Sequence, residues 1–89
     1  MTAAKDWTAE VFITLKPSVL DPQGNTVREA LHGMGYRDLR DARLGKYFVL
    51  RFSGRLGRAE VERQLKQMCD RLLVNPVIER YRYRIEGPR

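Results

Sequence analysis

From Glu10 to Lys16 the chain alternates, with Val11, Ile13 and Leu15 on one side and Phe12, Thr14 and Lys16 on the other. That period of two is the mark of a half-buried strand, and Pro17, which has no N–H to give to a ladder, is expected to end its regular pairing. Asp21-Pro22-Gln23-Gly24 then reads as a type I turn, with Asp, Pro and Gly at the first, second and fourth positions. The period next lengthens. Thr26 and Glu29 have the spacing of a capping box, and Val27, Ala30, Leu31 and Met34 recur at helical intervals before Gly35, which can take the left-handed conformation that closes a helix. Helix one is therefore expected from Thr26, with His32 on its solvent side.

Residues 38–44 are charge-rich and weakly patterned, and with Gly45-Lys46 and the alternating Tyr47–Phe52 they read as a hairpin. Phe48, Leu50 and Phe52 share one face of its second strand, and Tyr47, Val49 and Arg51 the other. After Ser53–Gly57 the spacing of Val61, Leu65, Met68, Cys69, Leu72 and Leu73 predicts helix two over about 58–73, stopped by Asn75-Pro76. Residues 77–85 alternate again and form the last strand, with Glu79 interrupting its apolar side. The order βαββαβ is an α+β, ferredoxin-like arrangement: a four-stranded antiparallel sheet with two helices on one face.

The helices are expected to cover Val11, Ile13, Leu15, Phe48, Leu50, Phe52, Tyr81, Tyr83 and Ile85. The opposite face would carry Phe12, Tyr47, Val49 and Ile78 among Lys16, Arg51, Arg80, Arg82 and Arg84. At about 25 cal/mol per Å² of apolar area, covering several such side chains is worth a few kcal/mol. Phe12, Tyr47, Val49, Ile78, Arg80 and Arg82 are thus candidates for a face on which copies of the chain pair, and edge strands offer a second route to the same end.

Composition narrows the chemistry. Eighty-nine residues, 43% of them hydrophobic, make one folded domain, with an ordered core expected at about 9–86 and fraying at 1–8 and 86–89. A chain this short builds a modest core, which makes self-association a natural supplement. No apolar run approaches the roughly 18 residues of a membrane span, and MTAAKDWTAE has no signal-peptide core, so a cytoplasmic location is expected. The single cysteine, Cys69, sits in the apolar stripe of helix two and pairs with no second cysteine. No catalytic pairing, phosphate-cradling loop or metal-ligand cluster emerges from the spacings, so no independent enzymatic activity, catalytic residue, metal or bound cofactor is expected.

The net charge of +6 would assist association with nucleic acid, an acidic protein or an anionic metabolite. An open sheet with aromatics and arginines suits an RNA recognition motif, but Gly45-Lys46-Tyr47-Phe48-Val49-Leu50-Arg51 places Lys46 at a base-stacking position and Arg51 at the final aromatic one. RNA binding and a metabolite-sensing regulatory domain stay as alternatives, and no nucleic-acid partner is expected.

Four strings, in this order, resemble the PurS family from about Glu10 to Ile85. They are Val11–Pro17 leading to Leu20-Asp21-Pro22-Gln23-Gly24; Ala30-Leu31 with Met34-Gly35-Tyr36; Arg43-Leu44-Gly45-Lys46; and Cys69–Glu79. The resemblance implies a small non-catalytic subunit of phosphoribosylformylglycinamidine synthase in purine biosynthesis. Such a subunit joins a large synthetase subunit and a glutaminase subunit, forms homodimers or tetramers, and supports assembly and ammonia delivery. ATP, Mg and glutamine are used by that complex, which converts formylglycinamide ribonucleotide to formylglycinamidine ribonucleotide. Lys16, Gly45, Lys46, Asn75 and Pro76 match the family strings at strand ends and turns, and are the partner-contact candidates. The arginine-rich last strand and the N-terminal extension with Trp7 depart from typical members.

Overall fold

The structure, a computed structural model, describes residues 5–89. Strands β1 (Asp6–Leu15), β2 (Gly45–Ser53) and β3 (Glu79–Glu86) form one antiparallel sheet in the order β2-β1-β3. Helix α1 (Pro22–Gly33) follows β1, and α2 (Arg58–Met68) with a π-helical turn at Cys69–Leu73 links β2 to β3. The α+β, ferredoxin-like arrangement of an antiparallel sheet with two helices holds; it has three strands rather than four.

The missing strand is the one expected at 38–44, which has no strand conformation. Its only large apolar residues, Leu39 and Leu44, are five apart, so they would lie on opposite faces of a strand and give neither face a reason to bury. The edge of β2 that this strand would occupy carries no partner among the described residues.

The core rests on β1. Trp7, Ala9, Val11 and Ile13 alternate inward and are matched across the ladders by Phe52, Leu50 and Phe48 on β2 and by Ile85, Tyr83 and Tyr81 on β3. Val61 and Leu65 on α2 and Cys69 at the start of the π turn, four residues apart in series, are fully buried against them. Helix two ends where expected, but its last turn widens: the Val74 N–H reaches back five residues to the Cys69 carbonyl, which carries Val74 into the core.

Strand β1 begins at Asp6, and Trp7, placed in a fraying extension, is in the core with its indole N–H donating to the Leu56 carbonyl at 2.8 Å. Arg89 pairs its backbone with Asp6 at the other edge of the same end. Residues 1–4 of that extension lie outside the described residues.

Helix α1 starts earlier than the capping-box spacing predicts. Asp21 is the N-cap, its carboxylate accepting from Gly24 N–H at 2.8 Å, and Pro22 occupies the first helical position. Thr26 instead turns its hydroxyl to the Pro22 carbonyl. A type I turn and a first helical turn share right-handed helical dihedrals, so Asp21–Gly24 satisfies both readings and the local sequence does not separate them. The far end is as expected: Gly35 has φ +103°, its N–H bonds the His32 carbonyl, and Tyr36 N–H bonds Leu31.

The cover on the sheet comes from α2. Helix α1 buries only Gly24, and Val27 and Met34 of its apolar stripe are exposed. The molecule is accordingly long and thin, 51 × 32 × 17 Å.

Candidate functional site

Two surfaces collect the candidate residues. The first is the shoulder where β1 ends and β2 and β3 begin. Gly45 opposes Thr14 here, and a Cβ at Gly45 would lie 2.3 Å from the Ile13 carbonyl oxygen, so the close approach of these strands requires glycine. Lys46, opposite Ile13, reaches over the end of the covered face. Its ammonium lies 3.3 Å from the Glu79 carboxylate and within 3.5 Å of the carbonyl of Leu73, the last residue of the π turn.

Glu79 also accepts from the Asn75 N–H at 2.8 Å, while the Asn75 side chain accepts from Val77 N–H and forms an Asx turn. These contacts hold the Glu79 carboxyl below its ordinary pKa, the Asn75 backbone bond contributing most and Lys46 next. Lys16 joins through its backbone, donating from N–H to Ile78 and accepting from Arg43 at its carbonyl. Four candidates, Lys16, Gly45, Lys46 and Asn75, thus surround one shoulder, and Pro76 is exposed on the adjoining turn. The last strand starts two residues later than expected because this turn takes Val77 and Ile78, and Val77 is 76% exposed.

The second surface is the open side of the sheet. Cross-strand rows there read Val49–Glu10–Arg84, Tyr47–Phe12–Arg82 and Gly45–Thr14–Arg80. Phe12 packs its ring 5.2 Å from that of Tyr47, and the Arg82 guanidinium stands over the Phe12 ring, 4.2 Å from its centroid. Glu10 accepts from the Tyr47 hydroxyl and from Arg84, and these two bonds lower its pKa, the Tyr47 bond first. Phe12, Tyr47, Val49, Arg80 and Arg82 therefore share the face assigned to them, while Ile78 lies in the turn before β3, 38% exposed. Sequence reading missed Glu10 as the hub of this face. Its signal, a carboxylate directly opposite an arginine, exists only once the β1–β3 register is known.

Neither surface gathers a nucleophile with a base. Cys69 is fully buried, its thiol pushed up chiefly by burial, and His32 is held on α1 with Nε2 2.6 Å from the Leu39 carbonyl. Among the described residues no three His, Cys, Asp or Glu side chains group as metal ligands, and no helix is long and apolar enough to cross a membrane. Lys46 and Phe48, the positions at which an RNA recognition motif would stack bases, face α2 rather than the open side.

Residues 8–87, which include all of both helices and nearly all of the sheet, match the family model described as PurS, phosphoribosylformylglycinamidine (FGAM) synthase. The chain belongs to the PurS family. Over 80 residues it is 44% identical to the PurS subunit of phosphoribosylformylglycinamidine synthase from Bacillus subtilis, covering 90% of this chain and 93% of the relative. Its fold is similar to that of the B. subtilis PurS crystal structure, with a TM-score of 0.80 at 43% identity over 91% of this chain and 99% of the other. A PurLQS structure from Thermotoga maritima contains a chain matching with a TM-score of 0.83 at 27% identity, over 91% and 98%. The four strings that resembled PurS map onto the end of β1 with the α1 cap, the closing turn of α1, the start of β2 and the π turn with the shoulder. All but the α1 turn adjoin the shoulder.

Proposed function

We propose that this chain works as the small, non-catalytic subunit of FGAM synthase in de novo purine biosynthesis. It joins a large synthetase subunit and a glutaminase subunit and supports assembly and ammonia delivery. The observation that carries this reading is the family match over residues 8–87, the same unit that recurs in the T. maritima PurLQS structure.

The shoulder supplies a fitting contact for the larger subunits. Lys46 and Asn75 are fixed there by Glu79, Gly45 sets the strand approach, and Lys16 and Pro76 flank them at an exposed rim. The open sheet face, where Phe12, Tyr47, Val49, Arg80 and Arg82 meet solvent with Ile78 exposed on the adjoining turn, supports self-association into a homodimer or tetramer. The subunit binds no cofactor of its own; ATP, Mg and glutamine act on its partners, in the cytoplasm. Nucleic acid has no part in this reading. The test is copurification with the synthetase and glutaminase subunits in the presence of nucleotide and glutamine, read as a joint elution peak.

A further inference from the structure

Strand β3 turns three arginines to the open face, Arg80, Arg82 and Arg84, and their surroundings differ. Arg84 is held by Glu10 and Glu86, and across the sheet Arg51 is held by Asp6, whereas Arg80 and Arg82 form no ion pair among the described residues. Both are exposed and stand two residues apart on one strand, so their Cα atoms are separated by about 7 Å and their like charges face water side by side. Arg82 lies over the Phe12 ring, which steadies the guanidinium and supplies no hydrogen-bond acceptor to its N–H groups.

Beside these two arginines the face is hollowed. A depression of about 530 Å³ is lined there by Phe12, Thr14, Gly45, Tyr47, Arg80 and Arg82. Its floor is bare where Gly45, which has no side chain, stands opposite Thr14, and Tyr47 rises beside it, 55% exposed. A second hollow of about 250 Å³ shares Thr14 and Arg80 with the first and continues to Asp41 and Arg43 at the rim. Asp41 accepts from Ala42 N–H with one carboxylate oxygen, and it forms no ion pair with Arg80.

We propose that this depression is an anion site that takes the phosphate group of a small phosphorylated metabolite, with Arg80 and Arg82 as its two forks and the Thr14 hydroxyl as a further donor. The chemistry matches the group. A phosphate monoester carries close to two negative charges at neutral pH and three acceptor oxygens, so it satisfies two guanidinium groups at once, where a carboxylate brings a single charge. The volume suits a ligand of small-molecule size. A polynucleotide is disfavoured, because beyond Arg82 the same face carries Glu10, Glu86 and Asp6, which would meet the following phosphates. This site goes beyond the assembly role proposed above and does not rest on it.

The test is a titration of the full, isotope-labelled chain at low ionic strength, followed by backbone amide chemical shifts. The probes are inorganic phosphate, ribose 5-phosphate and, as the uncharged control, ribose. Saturable shifts centred on Thr14, Tyr47, Arg80 and Arg82 are expected with both phosphates and none with ribose. Tighter binding of ribose 5-phosphate identifies a sugar phosphate as the ligand, and equal affinity identifies free phosphate. Arg80→Gln and Arg82→Gln, each at an exposed position, are expected to weaken binding about tenfold, while Arg51→Gln at the far end of the same face leaves it unchanged. Shifts scattered over all the arginines, equal affinity in the three variants, or no saturation at tens of millimolar phosphate overturns the site. An oligoribonucleotide that perturbs the whole face and binds far more tightly than ribose 5-phosphate, with a steep salt dependence, overturns it in favour of nucleic acid.

Discussion

Glu10 and Arg84 lie directly opposite each other on β1 and β3, and the Glu10 carboxylate also takes the Tyr47 hydroxyl from β2, so one side chain ties all three strands on the open face. The pairing neutralises one arginine of a strand that otherwise presents Arg80 and Arg82 to solvent. Glu10→Ala is expected to lower the thermal midpoint by only a few degrees, since exposed pairs contribute little, and the loss should shrink in high salt. Melting curves at two ionic strengths check this.

Acid should weaken the fold in a defined window. Glu10, Glu79 and Asp21 are all held below their ordinary values by the contacts described, and Glu60, bonded by Arg63 and Gln64, is held down to about 2. A carboxyl lowered on folding binds its proton more readily in the unfolded chain. Its stabilisation is therefore complete above the ordinary value of about 4.5 for Glu and is lost as pH falls through the lowered one. Unfolding midpoints in urea should be flat from pH 7 to 5 and fall between about pH 4.5 and 2. A midpoint that rises on acidification contradicts these contacts.

The core prediction is the largest. Leu65 is fully buried between α2 and β1, and Leu65→Ala is expected to cost about 2–5 kcal/mol, measured by urea denaturation. Cys69 has no partner and no exposure, so a thiol reagent should label it at the rate of unfolding rather than at the rate of a free thiol.

How much of this was legible from residues follows from the range of the forces involved. Strand β2, helix two and the inward side of β1 are written in local periodicity, and they appear where periodicity places them. The segment 38–44 is expected as a strand only because Gly45-Lys46 before the alternating Tyr47–Phe52 reads as a hairpin turn, and its own weak pattern prevails. Asp21 as N-cap was hidden because a turn and a helix start look alike over four residues. Trp7 was set aside as an extension, since nothing near it in sequence reveals that Leu56, forty-nine residues on, offers a carbonyl to its indole. The shoulder was half legible: Gly45, Lys46, Asn75 and Pro76 were identified by resemblance, while Glu79, which binds Lys46 and Asn75 together, was read only as an interruption of an apolar face.

That shoulder can be tested without disturbing the core. Lys46→Ala removes an ammonium about half exposed to water, so the isolated subunit should melt within a few degrees of the parent. Assembly should suffer more, with a several-fold weaker association with the larger subunits by titration calorimetry. A variant that binds them as the parent does removes Lys46 from the contact.

The open face makes the matching prediction for self-association. Phe12→Glu places a second carboxylate beside Glu10, between Tyr47 and Arg82, and is expected to reduce the oligomer mass in light scattering while the monomer stays folded. An unchanged mass assigns the contact to another surface.

If the chain holds larger catalytic subunits together, as proposed, reconstitution of the complex reports it. The synthetase and glutaminase subunits are assayed for glutamine-dependent formation of formylglycinamidine ribonucleotide with and without this chain, ATP and Mg present throughout. A marked gain in glutamine-dependent rate together with co-elution of all three chains is expected; equal rates and separate elution would overturn the proposed role.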